Sequence, residues 1–297
     1  MNHIGDHHLR LPFGVAIVQA DRSSAAGENH RLPNCCVVRE DVLTIAVEQI
    51  GTYALMWTPT EDARGDVGYT AEDGLLAEGE VPEALALAAG FALSEGIIDR
   101  LGDIAAMWVC RDRPDVVNIR LVRPEAVAVT RRNVVVNSSC GVCGGREQLT
   151  AAVAATPPSG GRLRLRVGDL ADIRSQMQEQ QQVFAGTGGT HGAALFDRNL
   201  NVLSVAEDLG RHNALDKVIG RHLLGGHGFA GCGAFISSRV SYEMTVKAVR
   251  AGLELLAAIS APSSLAIELA ARHGLTLCGF VRGDRAMIYS HPERLVE

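Results

Sequence analysis

Beyond the breaker Thr156-Pro157-Pro158-Ser159-Gly160-Gly161, short apolar runs alternate with helical stretches to the end of the chain. Proline lacks a backbone donor and glycine weakens regular structure, so neither helix nor strand continues through that stretch. A helix follows, with Asp169 as its cap and Asp172 in its first turn. Met177, Gln180 and Phe184 recur at helical spacing, and the Met and Phe read as a core stripe. Residues 193–196 and 200–205 form a hairpin about Asp197-Arg198-Asn199. Residues 234–236 make a strand and 241–258 a long helix. Ser263 caps a helix over 264–273 that Gly274 closes, and residues 275–281 make a buried strand. Each helix must bury its apolar stripe on a sheet face, so this alternation predicts a three-layer α/β unit over residues 137–297.

The first half reads differently. Residues 1–34 show no sustained period and are expected to be a disordered tail, its His3, His7 and His8 incidental, with order starting near Cys36. Strands are expected over 42–47, 52–57, 104–110, 116–122 and, interrupted by Arg131-Arg132-Asn133, 127–136. Residues 61–80 carry seven acidic side chains against the single Arg64 and read as a solvated loop. Pro82 opens a helix over 83–93, where its missing N–H costs nothing. Residues 35–136 are therefore a smaller α+β unit.

With 297 residues, 47% of them hydrophobic, the chain can bury a large core. A net charge of -6 argues against a general binder of nucleic acid or membrane surfaces. No continuous apolar run has the length of a membrane span, and the cytoplasm is the expected compartment. Seven irregularly spaced cysteines fit a reducing compartment. Cys35, Cys36, Cys110, Cys232 and Cys278 sit in apolar surroundings and read as small core residues.

The other two, Cys140 and Cys143, lie in Ser138-Ser139-Cys140-Gly141-Val142-Cys143-Gly144-Gly145, with no bulky neighbour to shield them. Such a CxxC admits four readings: half of a metal site, a redox couple, a sulfur-carrying nucleophile, or two inert thiols. Arg131 and Arg132 precede it, either lowering a thiol pKa or forming an exposed basic turn. A helix is expected over 146–155. The glycine-rich stretch at 186–192 can offer amides to a phosphate but has no P-loop pattern, and its His191 reads as either a structural residue or a proton carrier. Arg211-His212-Asn213, at a helix start ending in Lys217, reads as part of a site or of a salt-bridged helix. The strand ending in Arg282-Gly283-Asp284-Arg285 can grip an anion.

Ser138-Ser139-Cys140-Gly141-Val142-Cys143-Gly144, Thr187-Gly188-Gly189-Thr190-His191, residues 207–217 and Phe280-Val281-Arg282-Gly283-Asp284-Arg285 together resemble the formate dehydrogenase accessory protein family, the FdhD sulfur carriers. Residues 261–266 and His291-Pro292-Glu293-Arg294 also match, so the resemblance runs from about Phe91 to the end. It implies a cytidine-deaminase-like α/β core with a smaller N-terminal domain, usually as a homodimer. It also implies a sulfurtransferase that takes persulfide sulfur from a cysteine desulfurase. The acceptor would be the molybdenum or tungsten bis-pterin guanine dinucleotide of the formate dehydrogenase catalytic subunit, a transient ligand. Cys140 and Cys143 would be the carrier thiols. Phe280, Val281, Arg282, Gly283, Asp284 and Arg285 would meet the guanine nucleotide, with Gly188, Gly189, His191, Arg211, His212 and Lys217 completing the surface. The alternatives are a cofactor-binding chaperone without sulfur transfer and a zinc-dependent deaminase-like hydrolase. The hydrolase lacks an H-x-E ahead of the cysteines and a proline before Cys140.

Overall fold

The computed structural model describes residues 12–25, 29–61, 67–75, 81–127, 134–136 and 161–296. Strands β1 (Val15–Ser23) and β2 (Asn29–Val38) form an antiparallel hairpin. The tail expected over 1–34 is thus corrected from Val15 onward: apolar pairs Val15↔Val38, Ala16↔Val37 and Ile17↔Cys36 bring the strands together across the sequence. Residues 1–11 lie outside the described part.

Strands β3 (Asp41–Val47), β4 (Gly51–Trp57), β5 (Val67–Thr70), β6 (Gly74–Leu75), β7 (Ile104–Cys110), β8 (Arg113–Leu121) and β9 (Val134–Val136) build one sheet in the order β6-β5-β7-β8-β3-β4-β9. Four match the expected strands closely, because their apolar residues alternate: Leu43, Ile45 and Val47 on β3, and Tyr53, Leu55 and Trp57 on β4, all face the core. The acidic segment is corrected in part, since β5 pairs with β7 and buries Tyr69. Of the strand expected over 127–136, residues 128–133 lie outside the described part, and Val134–Val136 forms β9, parallel to β4.

The second sheet has the order β11-β10-β12-β13-β14-β15, from β10 (His191–Phe196), β11 (Val202–Asp208), β12 (Gly233–Ile236), β13 (Leu255–Ala258), β14 (Thr276–Arg282) and β15 (Arg285–Ser290). Strands β12, β13 and β14 run parallel, and β10 runs antiparallel to β12. The helices are α1 (Glu83–Ser94), α2 (Val167–Gln180), α3 (Gln182–Thr187), α4 (Arg211–Leu224), α5 (Tyr242–Ala251) and α6 (Ser264–Arg272). Successive residues of the sheet serve opposite faces: Ala194, Phe196, Phe235 and Ala257 pack with Leu170, Ile173 and Met177 of α2. Ala193, Leu195, Ile236 and Ala258 join the cluster formed with α4, α5 and α1. This is the predicted three-layer arrangement, helix–sheet–helix.

Three local expectations change. The helix expected over 241–258 stops at Gly252, which is left-handed at φ 77, and Leu255–Ala258 becomes the buried strand β13. Leu and Ala favour a helix locally, but a slot between two parallel strands decides otherwise. Helix α2 starts at Val167, and Asp169 sits inside its first turn, accepting the Arg166 N–H at 2.7 Å. Phe184 falls on α3 and is exposed, because the chain breaks at Gln181 and rotates it away from Met177.

Helix α1 crosses α4 with Gly90 against the Asp216 backbone and Gly220 against the Ala86 carbonyl. One continuous apolar cluster therefore runs from the first sheet through α1 to the second. The division expected after residue 136 separates the sheets in sequence, but they share a core.

Candidate functional site

Open parallel sheets bind ligands beyond the carboxyl ends of their strands, where strand direction switches. Here that end is knitted as a row. The Gly192 N–H donates to Ser237 Oγ at 2.9 Å, and the Ser237 N–H to the Gly192 carbonyl at 3.0 Å. The Ile259 N–H donates to the Ile236 carbonyl, and the Phe280 N–H to the Ser260 carbonyl, each at 3.2 Å. His191 opens the row on β10, facing Asp208 across the β10–β11 pair. Phe280 ends it, with its ring 38% exposed and its backbone left-handed at φ 52. A non-glycine residue there is strained, which marks a place where the fold over-determines the backbone.

Basic side chains gather at the His191 end. Burial, then Arg211, His212 and Arg239, hold the His191 imidazole below the ordinary histidine range, against the opposing carboxylate of Asp208. His191 is therefore neutral at pH 7 among cations. Arg211 begins α4, and its buried Nε has no hydrogen-bond partner among the described residues. Arg239 is exposed on the loop between β12 and α5. His212 Nε2 lies 3.1 Å from Glu243 Oε2, and that contact holds the Glu243 carboxyl below its usual range. The N-cap of α4, Gly210, has no side chain to satisfy the first amides of the helix. Together these groups suit an anion.

Several expected contacts go elsewhere. Lys217 is fully buried: its Nζ lies 2.7 Å from Asp208 Oδ2, 2.8 Å from Glu83 Oε1 and 2.7 Å from the Thr58 carbonyl. It holds the fold together and does not reach a ligand surface. Gly188 and Gly189 do not cradle a phosphate, because their N–H groups donate to the Phe184 carbonyl and to Thr187 Oγ1. Gly188 instead ends α3 in a left-handed turn at φ 67. Val281 points its side chain into the core. Arg282, Gly283, Asp284 and Arg285 are exposed at the β14–β15 turn. Cys140, Cys143, Arg131, Arg132 and the helix expected over 146–155 lie outside the described residues.

The sequence reading missed Ser237, Arg239 and Glu243. Their signal was position: a Ser-Ser-Arg loop between a buried strand and a capped helix falls at the ligand-binding end of an α/β sheet.

The family model of the FdhD/NarQ family matches residues 80–296. The chain belongs to that family. It is 43% identical over 215 residues to the sulfur carrier protein FdhD of Xanthomonas euvesicatoria pv. vesicatoria, covering 70% of this chain and 75% of that one. It is 40% identical over 228 residues to the sulfur carrier protein FdhD of Streptomyces coelicolor, covering 71% and 79%. A Desulfotalea psychrophila crystal structure, described as a formate dehydrogenase accessory protein, superposes with a TM-score of 0.70 at 21% identity. That match covers 95% of this chain and 99% of the other. At that identity the likeness shows a shared mixed α/β fold.

The remaining thiols sort by environment. Burial pushes the Cys232 thiol up to about 11, with Asp197 and Glu254 adding to it, and burial alone pushes Cys278 up to about 12. Cys110 is exposed, while Cys35 and Cys36 are partly so, contrary to the core role expected for all three. The thiolate is the reactive form, so the two buried thiols are inert near neutrality. Iodoacetamide labelling of the native protein is expected to modify Cys110 and spare Cys232 and Cys278, which react only after unfolding. Native labelling of Cys278 at the Cys110 rate would contradict this ranking.

Proposed function

We propose that this chain is a sulfur carrier acting in the cytoplasm. It takes persulfide sulfur from a cysteine desulfurase on Cys140 or Cys143. It passes the sulfur, as a sulfurtransferase, to the bis-pterin guanine dinucleotide that carries molybdenum or tungsten in the formate dehydrogenase catalytic subunit. The named relatives and the family motifs support this reading. So does the second sheet, whose order and antiparallel β10 fit a cytidine-deaminase-like core; a homodimer is part of the same proposal, on the family resemblance alone.

The observation that carries the reading is how β9 delivers the CxxC. Strand β9 runs parallel to β4, with Val136 beside Leu55. Just beyond Leu55, the Met56 carbonyl accepts Asn213 Nδ2 at 2.8 Å and the Thr58 N–H donates to Asp208 Oδ2 at 3.0 Å. The carboxyl end of β9 thus points toward the start of α4, where Arg211 and His212 stand. Cys140 follows four residues after Val136, within about 14 Å by covalent reach. A carrier thiol must attack a donor persulfide as thiolate and then visit an acceptor. Gly141, Gly144 and Gly145 flank the cysteines in sequence, and glycine admits more backbone conformations than other residues. The acceptor is a polyanion, and Arg211, Arg239, Arg282 and Arg285 provide charge for it.

The test is to incubate the reduced protein with cysteine and an active desulfurase, then measure intact and peptide masses for the wild type, Cys140→Ala and Cys143→Ala. One added sulfur is expected on the peptide holding both cysteines, lost or moved by the substitutions. No added sulfur in the presence of a verified desulfurase overturns the carrier reading.

A further inference from the structure

Strand β11 is the outer edge of the second sheet, and a groove of about 880 Å³ runs along it. Gly192 turns both its N–H and its carbonyl toward Ser237, on the β12 side of β10. Backbone groups alternate along a strand, so Ala193 and Leu195 face β11, opposite Ala206 and Ser204. Val205 and Glu207 therefore present theirs outward, into the groove. Their carbonyls accept Arg221 Nη1 at 3.3 Å and Lys217 Nζ at 2.9 Å. Their N–H groups have no partner among the described residues. One wall of the groove is Glu179, Gln182 and Val183, and the other is Arg221, His222 and His227. Leu203, where the register with β10 shifts, adds a side chain 41% exposed. Two polar atoms of the lining residues, Ser204 Oγ and Arg221 Nε, are buried with no hydrogen-bond partner among the described residues. Native folds leave few such atoms, and two at one groove mark a contact that the chain does not make by itself.

We propose that this groove binds an extended peptide segment of another protein, which pairs beside β11 as an added strand. The proposal goes beyond the carrier reading and does not depend on it. A peptide in β conformation presents carbonyls along one edge at the strand repeat, matching the outward amides of Val205 and Glu207. Its side chains then alternate between the two helical walls. A compact ligand would leave the row of amides unmatched. Charge selects among peptides. Arg221 is already paired with Glu61 at 2.8 Å, and burial holds His222 below the ordinary histidine range, uncharged at pH 7. Glu179 is exposed near the end of α2 and makes no salt bridge with a described residue. The favoured peptide therefore carries Lys or Arg opposite Glu179, with apolar side chains on Val183 and Leu203.

The test begins by panning a phage-displayed library of random nonapeptides on the full chain. Enriched sequences are expected to alternate apolar residues and to contain Lys or Arg. The most enriched peptide is then synthesised with a fluorophore and titrated by anisotropy against wild type, Val205→Pro and Glu179→Lys, each first checked for a native melting transition. Val205→Pro removes an outward N–H that β10 does not use, and proline is tolerated on such an edge. It is expected to weaken the peptide about 10-fold, through one lost hydrogen bond and one unpaired peptide carbonyl. Glu179→Lys is expected to weaken it about 10-fold by turning attraction into repulsion, with the difference shrinking at high salt. Hydrogen exchange of the Val205 amide should slow when the peptide is bound. Should Val205→Pro lack a native transition, Glu179→Lys and the Val205 exchange decide the matter. Three results overturn the proposal. The first is that no sequence is enriched, and the second is that the enriched peptide binds either variant as tightly as the wild type. The third is a Val205 amide already protected in the free chain, which would show that the chain fills the groove itself.

Discussion

Lys217→Met will destabilise the protein by about 3–5 kcal/mol, the cost of stranding buried carboxylates whose cation has been removed. Lys217 and Asp208 are fully buried and Glu83 nearly so. Burial pushes the Asp208 carboxyl above its usual range, against the opposing pull of Lys217 and the Thr58 and Gly210 N–H groups; Asn213 Nδ2 also donates to it. Burial opposes the ammonium, yet the carboxylates of Asp208 and Glu83 hold Lys217 above the ordinary lysine range. A raised folded pKa stabilises the fold fully below the unfolded lysine value, and that contribution is lost as pH climbs through the higher folded value. Urea unfolding near neutrality should show a lower midpoint with an unchanged slope. A loss below about 1 kcal/mol would mean that the network relaxes around the missing charge. Function should suffer too, because Asp208 pairs with His191 and anchors the turn into Arg211 and His212.

Gly220→Ala will also destabilise strongly, although alanine is the better helix former. Replacing a mid-helix glycine by alanine gains about 1 kcal/mol of propensity. Against this, the new Cβ would overlap the Ala86 carbonyl of α1, and the Gly90 position meets the Asp216 backbone in the same way. Both obstacles are backbone, so relief requires the helices to separate and open the cluster they share with both sheets. Overpacking of this kind costs about 1–3 kcal/mol or more, and here it outweighs the propensity gain. Thermal unfolding should register a lower midpoint. A variant as stable as the wild type would show that α1 and α4 can part without loss.

Some of the site was legible in the sequence and some was not. The CxxC, the Arg282–Arg285 tip and the helix start at Arg211 stood out because each combines reactive or charged residues with glycine within a few positions. Lys217 was assigned to the ligand surface as a cation close in sequence to Arg211 and His212, in a motif shared with the family. Its partners Thr58 and Glu83 come from the other end of the chain, Thr58 standing 159 residues away. Arg239 was passed over because nothing adjacent marks it. It gains meaning only beside His191 and Arg211, which come from β10 and α4.

By itself the sequence determined the strands β3 and β4, the cap at Ser263, the three-layer arrangement of the second half and the family. These rest on short-range periodicity, which local sterics and burial impose on neighbouring residues. Only the tertiary structure decided that residues 255–258 are a strand and that the Gly188 and Gly189 amides bond inward. It alone placed Lys217 in the core and lined up His191, Ser237, Ser260 and Phe280 at one sheet edge. Those outcomes depend on which distant backbone groups and charges lack partners, and the physical reason is that a buried polar group must be satisfied wherever the fold brings a match.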